Sequence, residues 1–341
     1  MICYWFFNNT VERMSMMAGF EKIIGNEQVK KHFCDAIAQN KVSHGYILSG
    51  EDGLGKLTFA KTFAQMLLCE SKGERPCGIC HSCKQCESGN HPDIIYVNHE
   101  KNVIGVDDVR EQINKDIIIK PYSSPYKIYI VDEAEKMSVQ AQNALLKTIE
   151  EPPAYAIIIL LSTNGEKLLP TIRSRCITLK LRPVVEEEMI RYLKEHGVEE
   201  ERISIVIKLA RGNIGRALKM AQSESFYEMI DMIIKMLENV WKMDLFEIMS
   251  FIERLSKYKI NIYDCFDFMR LWFRDVLLFK ATSDMNLLIF KNNYKSINEI
   301  ASKCSYEKLE NILKAIDVAE RRLNANVNFE QTLELMLFSF H

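Results

Sequence analysis

The sequence has 341 residues and a formal net charge of −2 at neutral pH, and 48% of its residues are hydrophobic. Such values are typical of a folded globular protein with room for two or three domains. The near-neutral charge excludes strong bulk attraction to nucleic acid or membranes, although a local basic patch stays possible. No apolar run reaches the roughly 18 residues that a membrane-spanning helix needs.

The first 17 residues do not fit the rest of the chain. The apolar stretch at positions 2–7 has no basic residue before it and no small-residue cleavage site after it, which makes it a poor signal peptide. A globular pattern begins near Gly19. We therefore expect residues 1–17 to be an N-terminal extension outside the fold, and we expect the protein to be cytoplasmic.

The chain changes character near Pro183. Before it, apolar strand patterns alternate with helical ones, which predicts a parallel sheet with helices on both faces. After it, only helical periodicity is found, first in a small unit and then in a segment dense in Leu, Ile, Met and Phe. The predicted helices are 26–38, 57–68, 106–116 and 139–150, and the predicted strands are 46–48, 94–97, 127–131, 156–162 and 176–181.

A glycine-rich loop follows the first predicted strand and opens a helix. Gly50, Gly53, Gly55 and Lys56 fit the pattern G-x-x-x-x-G-K. In this context, backbone N–H groups and the helix N-terminus bind phosphate, and the lysine reaches the terminal phosphates. The position after the lysine normally carries a hydroxyl for Mg²⁺, and here it is Leu57. The sequence predicts a degenerate nucleotide site and leaves open whether ATP or ADP and Mg²⁺ bind it.

Two acidic residues directly follow the predicted strand 127–131. Asp132 is expected in the Mg²⁺ shell, and Glu133 is in position to orient an attacking water. A strand that ends in two solvated acids is the alternative, and the phosphate loop upstream disfavours it.

Five of the ten cysteines lie between positions 69 and 86. The spacing Cys69-x₇-Cys77-x₂-Cys80-x₂-Cys83 supplies the four thiolates of a closed, structural Zn²⁺ site. One cluster in a long chain favours metal binding over disulfides. Cys86 is a fifth candidate ligand, and His81 and His91 are weaker alternatives.

Three motifs resemble the subunits of the bacterial DNA polymerase III clamp loader, which are AAA+ proteins. They are the cysteine module with the following His91-Pro-Asp93, the segment 143–153 (NALLKTIEEPP), and the segment 169–176 (LPTIRSRC). The resemblance covers roughly residues 20–218. It implies an AAA+ P-loop domain at 18–182 with its zinc module at 69–86, a helical lid domain at 183–224 and an all-α collar domain at 225–341.

The family contains motor subunits that hydrolyse ATP and a stator subunit, and the sequence favours the stator. Leu57 removes the magnesium-binding hydroxyl. In the lid, Gly215 takes the place of the arginine that senses the γ-phosphate in the motor, and Arg216 is one helical step away. The sequence also ends after the collar-like helices, whereas the long form of the motor has further domains, although a short form of the motor exists as well. We expect no ATPase activity of its own, with an active motor as the alternative.

The resemblance also assigns roles to two residues next to the later predicted strands. The Ser-Arg-Cys arginine, here Arg175, reaches across a subunit boundary to the neighbour's ATP, a task for which a planar, permanently charged guanidinium is suited. Arg173 is a nearby competitor. Asn164 matches the first sensor position and is otherwise a turn residue.

The implied function is to help open a sliding clamp and load it on primed DNA within a DNA polymerase holoenzyme. The implied partners are the gamma/tau and delta subunits, the clamp and primed DNA. A zinc-dependent nucleic-acid-binding module is a further alternative, which the near-neutral charge and the lack of an aromatic-basic stripe disfavour.

Overall fold

The computed structural model describes residues 18–21, 23–98, 103–257 and 261–340. The expected N-terminal extension, residues 1–17, lies outside these ranges. The chain forms two compact units. The first contains the described residues up to Tyr192 together with Gly212–Arg216, and the second contains Leu193–Arg211 and the described residues from Ala217 onwards. The division into three domains stays a prediction.

A five-stranded parallel sheet forms the centre of the first unit. Its spatial order is β2-β3-β4-β1-β5. The strands are β1 (Gly45–Ser49), β2 (Ile94–Val97), β3 (Lys127–Val131), β4 (Ala156–Ser162) and β5 (Ile177–Lys180). The sheet agrees with the predicted fold class.

Both faces of the sheet are covered, which explains why its central strands are apolar along their whole length. In β4, Ile157, Ile159 and Leu161 point to one core cluster, and Ile158 and Leu160 point to the other. All seven residues of β4 are buried. The side-chain alternation of a strand therefore supplies two cores, one on each side of the sheet.

The helices of the first unit pack on these two faces. The aromatic rings of Phe33 and Phe63 stack at 4.1 Å between centroids on one side, and Leu145 and Ile149 contribute to the core on the other. The helices are α1 (Glu27–Ala38), α2 (Lys56–Leu68), α3 (His81–Glu87), α4 (Val106–Val109), α5 (Val139–Glu150) and α6 (Pro170–Arg173).

The segment predicted as one helix over 106–116 is broken. After α4 it continues as a π-helical turn, Arg110–Asn114, and then as a 3₁₀ turn, Asp116–Ile118. The side chains of Val109, Ile113 and Ile117 stay buried in the core although the helix type changes. Their spacing of four residues is compatible with a regular helix, so hydrophobic periodicity could not show the change.

Beyond β5, the described residues form helices and connecting turns, as predicted. Trp272, Phe266, Phe268 and Phe273 of one long helix are fully buried. The helices are α7 (Glu186–Glu195), α8 (Glu200–Ala210), α9 (Ile214–Ala221), α10 (Glu224–Asn239), α11 (Leu245–Lys257), α12 (Ile262–Thr282), α13 (Tyr294–Lys303), α14 (Tyr306–Asn324) and α15 (Phe329–Phe338). In the described part of the chain, no helix is long and apolar enough to cross a membrane.

Candidate functional site: a phosphate loop, a cysteine cluster and a paired arginine

The glycine-rich loop lies between β1 and α2, the strand–loop–helix context that its motif requires. Gly53 and Gly55 have φ angles of 85° and 87°, in the left-handed region that glycine adopts most readily. Gly55 is the N-cap residue of α2, so the loop ends at the positive end of a helix. The backbone thus has the form of a phosphate-binding loop.

The side chain of Lys56 is bound by this same loop. Its Nζ donates to the carbonyl oxygens of Gly50 at 2.7 Å and Glu51 at 3.1 Å, and it pairs with Asp52 Oδ1 at 2.9 Å. Lys56 is 7% exposed. Because an ammonium has three donors, all of them are in use. A phosphate would have to replace at least one of these contacts.

A second segment of the first unit, Gly212–Arg216, packs directly on the phosphate loop. The backbone N–H of Gly215 donates to the carbonyl oxygen of Gly53 at 3.1 Å. Asn213 Nδ2 donates to the carbonyl oxygen of Asp52, while Asn213 Oδ1 accepts from the N–H of Arg216. A Cβ added at Gly215 would lie 2.8 Å from the Gly53 oxygen. This contact requires glycine at position 215.

The acidic pair is placed at the carboxyl end of β3, as the sequence predicted. Asp132 is exposed, and its Oδ1 accepts from the N–H of Glu133 at 2.9 Å. Glu133 has a left-handed φ of 50°, and its carboxylate pairs with Lys136 at 2.7 Å. The role of the pair in nucleotide chemistry stays a prediction.

A third acidic residue, Glu135, connects this turn to the end of β4. Glu135 Oε1 accepts from the N–H of Thr163 at 3.2 Å and from its hydroxyl. Burial opposes the charged form, but hydrogen bonds from Thr163 and Ser162 hold the pKa of Glu135 below its ordinary value. Sequence reasoning missed this contact, since nothing in the local pattern distinguishes Glu135 from a solvated acid.

Asn164 caps a turn. Its Oδ1 accepts from the N–H of Glu166 at 2.9 Å, at the start of the 3₁₀ turn Gly165–Lys167. The structure thus gives Asn164 the contact of a turn residue, and its role as a nucleotide sensor stays a prediction.

The four predicted cysteines meet in space. The Sγ atoms of Cys69, Cys77, Cys80 and Cys83 all lie within 4.8 Å of one another. Four thiolates at about 2.3 Å from one tetrahedral ion are separated by roughly 3.8 Å, and the Sγ atoms of Cys77 and Cys83 are 4.0 Å apart. The cluster can therefore bind a metal ion. Cys86 lies outside this group and packs against the core, where burial raises the pKa of its thiol to about 11.

Backbone N–H groups point at three of the sulfurs. Cys77 N donates to Cys69 Sγ at 3.4 Å, Cys80 N to Cys77 Sγ at 3.4 Å, and Cys83 N to Cys80 Sγ at 3.3 Å. The backbone N–H groups of Ile79 and Cys80 lower the pKa of Cys77 to about 6. Such bonds stabilise the thiolate form, which is the form that binds metal.

His91 is not part of the four-sulfur group, but it contacts Ser82 of the cysteine module. Its Nδ1 accepts from the N–H of Asp93 at 3.1 Å, so the proton lies on Nε2 of the neutral ring. That nitrogen is 3.1 Å from Ser82 Oγ, which donates to the carbonyl oxygen of Leu68 at 2.8 Å. His81 is likewise absent from the four-sulfur group. His91 therefore joins the cysteine module to the start of β2.

Arg175 follows α6 and is held by three contacts. Its NH2 pairs with Glu150 Oε1 at 2.8 Å, and its NH1 donates to the carbonyl oxygen of Thr171 at 3.0 Å and to Ser174 Oγ at 3.3 Å. Arg173 lines a cleft beside the phosphate loop, together with Glu51, Lys180 and other residues. The two arginines thus have different surroundings.

The fold and the phosphate loop define the class: the chain is a P-loop protein of the AAA+ type. A family model described as "DNA polymerase III, delta subunit" matches residues 25–185. DNA polymerase III subunit delta′ of Bacillus subtilis is 29% identical over 313 residues, 90% of this chain and 93% of the relative. Subunit gamma of Buchnera aphidicola is 28% identical, with 93% and 94% covered.

Subunit tau of B. subtilis is also 28% identical, over 87% of this chain and 57% of the relative. A solved structure, a DNA polymerase III gamma subunit-related protein from Thermotoga maritima, matches with a TM-score of 0.49 at 21% identity, covering 92% of this chain and 98% of that one. The chain is a homologue of the clamp-loader subunits of bacterial DNA polymerase III, which confirms the resemblance that its motifs predicted.

Proposed function

We propose that this chain is a delta′-type stator of a cytoplasmic DNA polymerase III clamp loader. In this role it assembles with gamma/tau and delta subunits and helps to load a sliding clamp on primed DNA. The observation that supports a stator over a motor is the packing of Gly215 on Gly53. An arginine side chain at position 215 is incompatible with this contact, so the γ-phosphate sensor of a motor cannot occupy this place in the described conformation.

The nucleotide site supports the same proposal at two further points. Leu57 offers no hydroxyl to Mg²⁺, and the ammonium of Lys56 forms all three of its contacts within the phosphate loop. Chemistry that needs a sensor arginine, a metal-binding hydroxyl and a lysine directed at phosphate finds the first two groups missing here and the lysine bound by the loop. Hydrolysis by this chain alone is therefore expected to be negligible.

The reacting site that this chain serves lies in the neighbouring motor subunit. Arg175 is proposed to donate its guanidinium to the ATP bound there and to stabilise the charge that builds on the transferred phosphoryl group. The exposed fraction of its side chain, 39%, leaves it accessible to a neighbour. This role requires no nucleotide chemistry in the chain that supplies the arginine.

The cysteine cluster is proposed to hold one Zn²⁺ through Cys69, Cys77, Cys80 and Cys83. Four sulfurs leave no open coordination position, so the ion's contribution is structural. Sulfur separations below 4.8 Å and the N–H···S bonds support this assignment. We expect the ion to fix the segment between α2 and β2 on the first unit.

A motor subunit is the second candidate function. Lys56, Asp132 and Glu133 are all present, and the gamma and tau relatives are nearly as identical to this chain as delta′ is. If the Gly215–Gly53 contact opens in the assembly, these groups become available to a nucleotide.

Purification of a tagged chain from its source cell tests the proposal. We expect gamma/tau and delta subunits to co-purify, and the clamp to join them when ATP is present. A chain that binds DNA alone in a salt-dependent manner, without these partners, would instead support the nucleic-acid-binding module.

A further inference from the structure

The carboxylate of Glu150 is bound to the arginine that carries the proposed function. Glu150 ends α5, and its Oε1 lies 2.8 Å from NH2 of Arg175. The same guanidinium donates through NH1 to the carbonyl oxygen of Thr171. We infer that Glu150 is a positioning residue, which orients Arg175 for the neighbouring ATP site. This inference rests on the proposed role of Arg175.

The backbone segments that carry Glu150 and Arg175 are anchored in the core. Ile149, next to Glu150, is 7% exposed, and Ile172, three residues before Arg175, is fully buried. The hydroxyl of Ser138 caps the start of α5 through the N–H of Ala141 at 3.1 Å. The two elements that carry Glu150 and Arg175 are therefore held by the core, and the ion pair adds only the last constraint.

A second contact fixes the other end of the arginine's segment to the same helix. The side chain of Gln142, 3% exposed, accepts the N–H of Leu169 through Oε1 at 2.8 Å. Gln142 and Glu150 are eight residues apart, about 12 Å along a helix. Helix α5 thus holds the residues from Leu169 to Arg175 at both ends.

The partial exposure of the Glu150–Arg175 ion pair indicates whether its main effect is on stability or on orientation. The side chain of Glu150 is 45% exposed and that of Arg175 is 39% exposed. Ion pairs this exposed contribute little to folding stability because water and salt screen them. Orientation is the larger effect: a guanidinium has five donors in a rigid plane, and fixing two of its nitrogens directs the rest. Small misplacements of a reacting group cost large factors in rate.

The adjacent residue offers a matched control. Glu151 is exposed and has the same side chain as Glu150. Across the described ranges, no hydrogen bond or ion pair joins the Glu151 carboxylate to another residue. Replacement of Glu151 by Gln changes the net charge by the same amount as replacement of Glu150 and leaves Arg175 in place.

The test uses the reconstituted clamp loader with clamp and primed DNA, in which this chain carries Glu150→Gln, Glu150→Asp, Glu151→Gln or Arg175→Ala. For Glu150→Gln we expect the rate at the adjacent ATP site to fall by about two- to tenfold, since the arginine is present but poorly directed. The total stimulated kcat should therefore fall by less than it does in Arg175→Ala, with KM for ATP unchanged. Glu150→Asp should recover part of the loss, and Glu151→Gln should match the wild type.

The double variant separates positioning from any other role. If Glu150 acts through Arg175, then Glu150→Gln adds no further loss to Arg175→Ala. A wild-type kcat for Glu150→Gln beside a slow Arg175→Ala would overturn the inference and leave the proposed function intact. An additional loss in the double variant would also overturn it. Wild-type rates for Arg175→Ala would contradict the role of Arg175, and the inference would fall with it.

Discussion

The N–H of Gly215 donates to the carbonyl oxygen of Gly53 at 3.1 Å, which joins the segment Gly212–Arg216 to the phosphate loop. The contact depends on the lack of a side chain at position 215, since a Cβ there would lie 2.8 Å from that oxygen. One residue type thus does two things. It leaves no arginine at the position where the resemblance to motor subunits implies a γ-phosphate sensor, and it allows a backbone contact with the phosphate loop.

The first prediction concerns this contact. Gly215→Ala should lower the free energy of unfolding, because the clash costs about 1–3 kcal/mol and exceeds the gain of up to about 1 kcal/mol from alanine in a helix. Urea unfolding followed by circular dichroism measures the change. Gly73→Ala is the control, since its added Cβ would have no neighbour closer than Ser71 Oγ at 3.8 Å. Equal stability of the two variants would show that the contact is loose.

The second prediction is that the isolated chain hydrolyses ATP negligibly. Leu57 and Gly215 each replace a group that an active site uses. Lys56→Ala should therefore leave the measured background rate unchanged. Robust magnesium-dependent turnover that disappears in Lys56→Ala would establish the motor interpretation in place of the stator.

The third prediction is a zinc content of about one equivalent per chain after dialysis, as expected for a closed four-cysteine site. Metal analysis should show that the Cys77→Ser/Cys80→Ser double variant loses the ion, while Cys86→Ser keeps it, because Cys86 lies outside the cluster. A chelator should lower the thermal midpoint of the wild type and have little effect on the double variant. Full zinc retention in the double variant would disprove the ligand assignment.

The fourth prediction is a loss of stability in mild acid through His32. Burial lowers the pKa of His32, with an opposing influence from Asp35. Since the folded chain then binds this proton less readily than the unfolded chain, stability falls as pH drops below about 6.5, by at most about 1.4 kcal/mol per pH unit until His32 also protonates in the folded state.

Unfolding midpoints in guanidinium chloride at pH 7.5, 6.5 and 5.5 measure this dependence. His32→Leu should show a smaller loss between pH 6.5 and 5.5 than the wild type, and the difference between the two removes effects that they share, such as metal release. His196→Asn is the control for the replacement of an exposed histidine. An unchanged slope in His32→Leu would contradict the prediction.

Some features follow from local sequence and others do not. The bounds of β2, β3 and β4 agree with the predicted strands 94–97, 127–131 and 156–162, because strands buried on both faces are apolar runs with sharp ends. Cysteine spacing likewise indicated the cluster, since two-residue spacers bring sulfurs together. The side-chain contact of Asn213 with Asp52 spans 161 positions. Only the packed fold brings such residues together.

The pairing of Glu150 with Arg175 has the same origin. Both residues lie in segments that resemble the clamp-loader family. Their separation of 25 positions in the sequence does not show that α5 and α6 are neighbours in space. Ile149 and Ile172 are buried in the same core cluster, but no local pattern gives the relation between their polar neighbours. Packing of two short elements on one face of the sheet supplies that relation.

The central claim is that this chain supplies Arg175 to a neighbouring active site, and loading of the clamp by an assembly that contains Arg175→Ala tests it most directly. Folding, zinc content and assembly should be unchanged, because Arg175 is partly exposed. Arginine fingers contribute about 10³- to 10⁵-fold at the site they serve, and total turnover should fall much less, since only one motor site is adjacent. Arg175→Lys should rescue poorly, and Arg173→Ala should load normally. Wild-type loading with Arg175→Ala would contradict the account and leave this chain a scaffold.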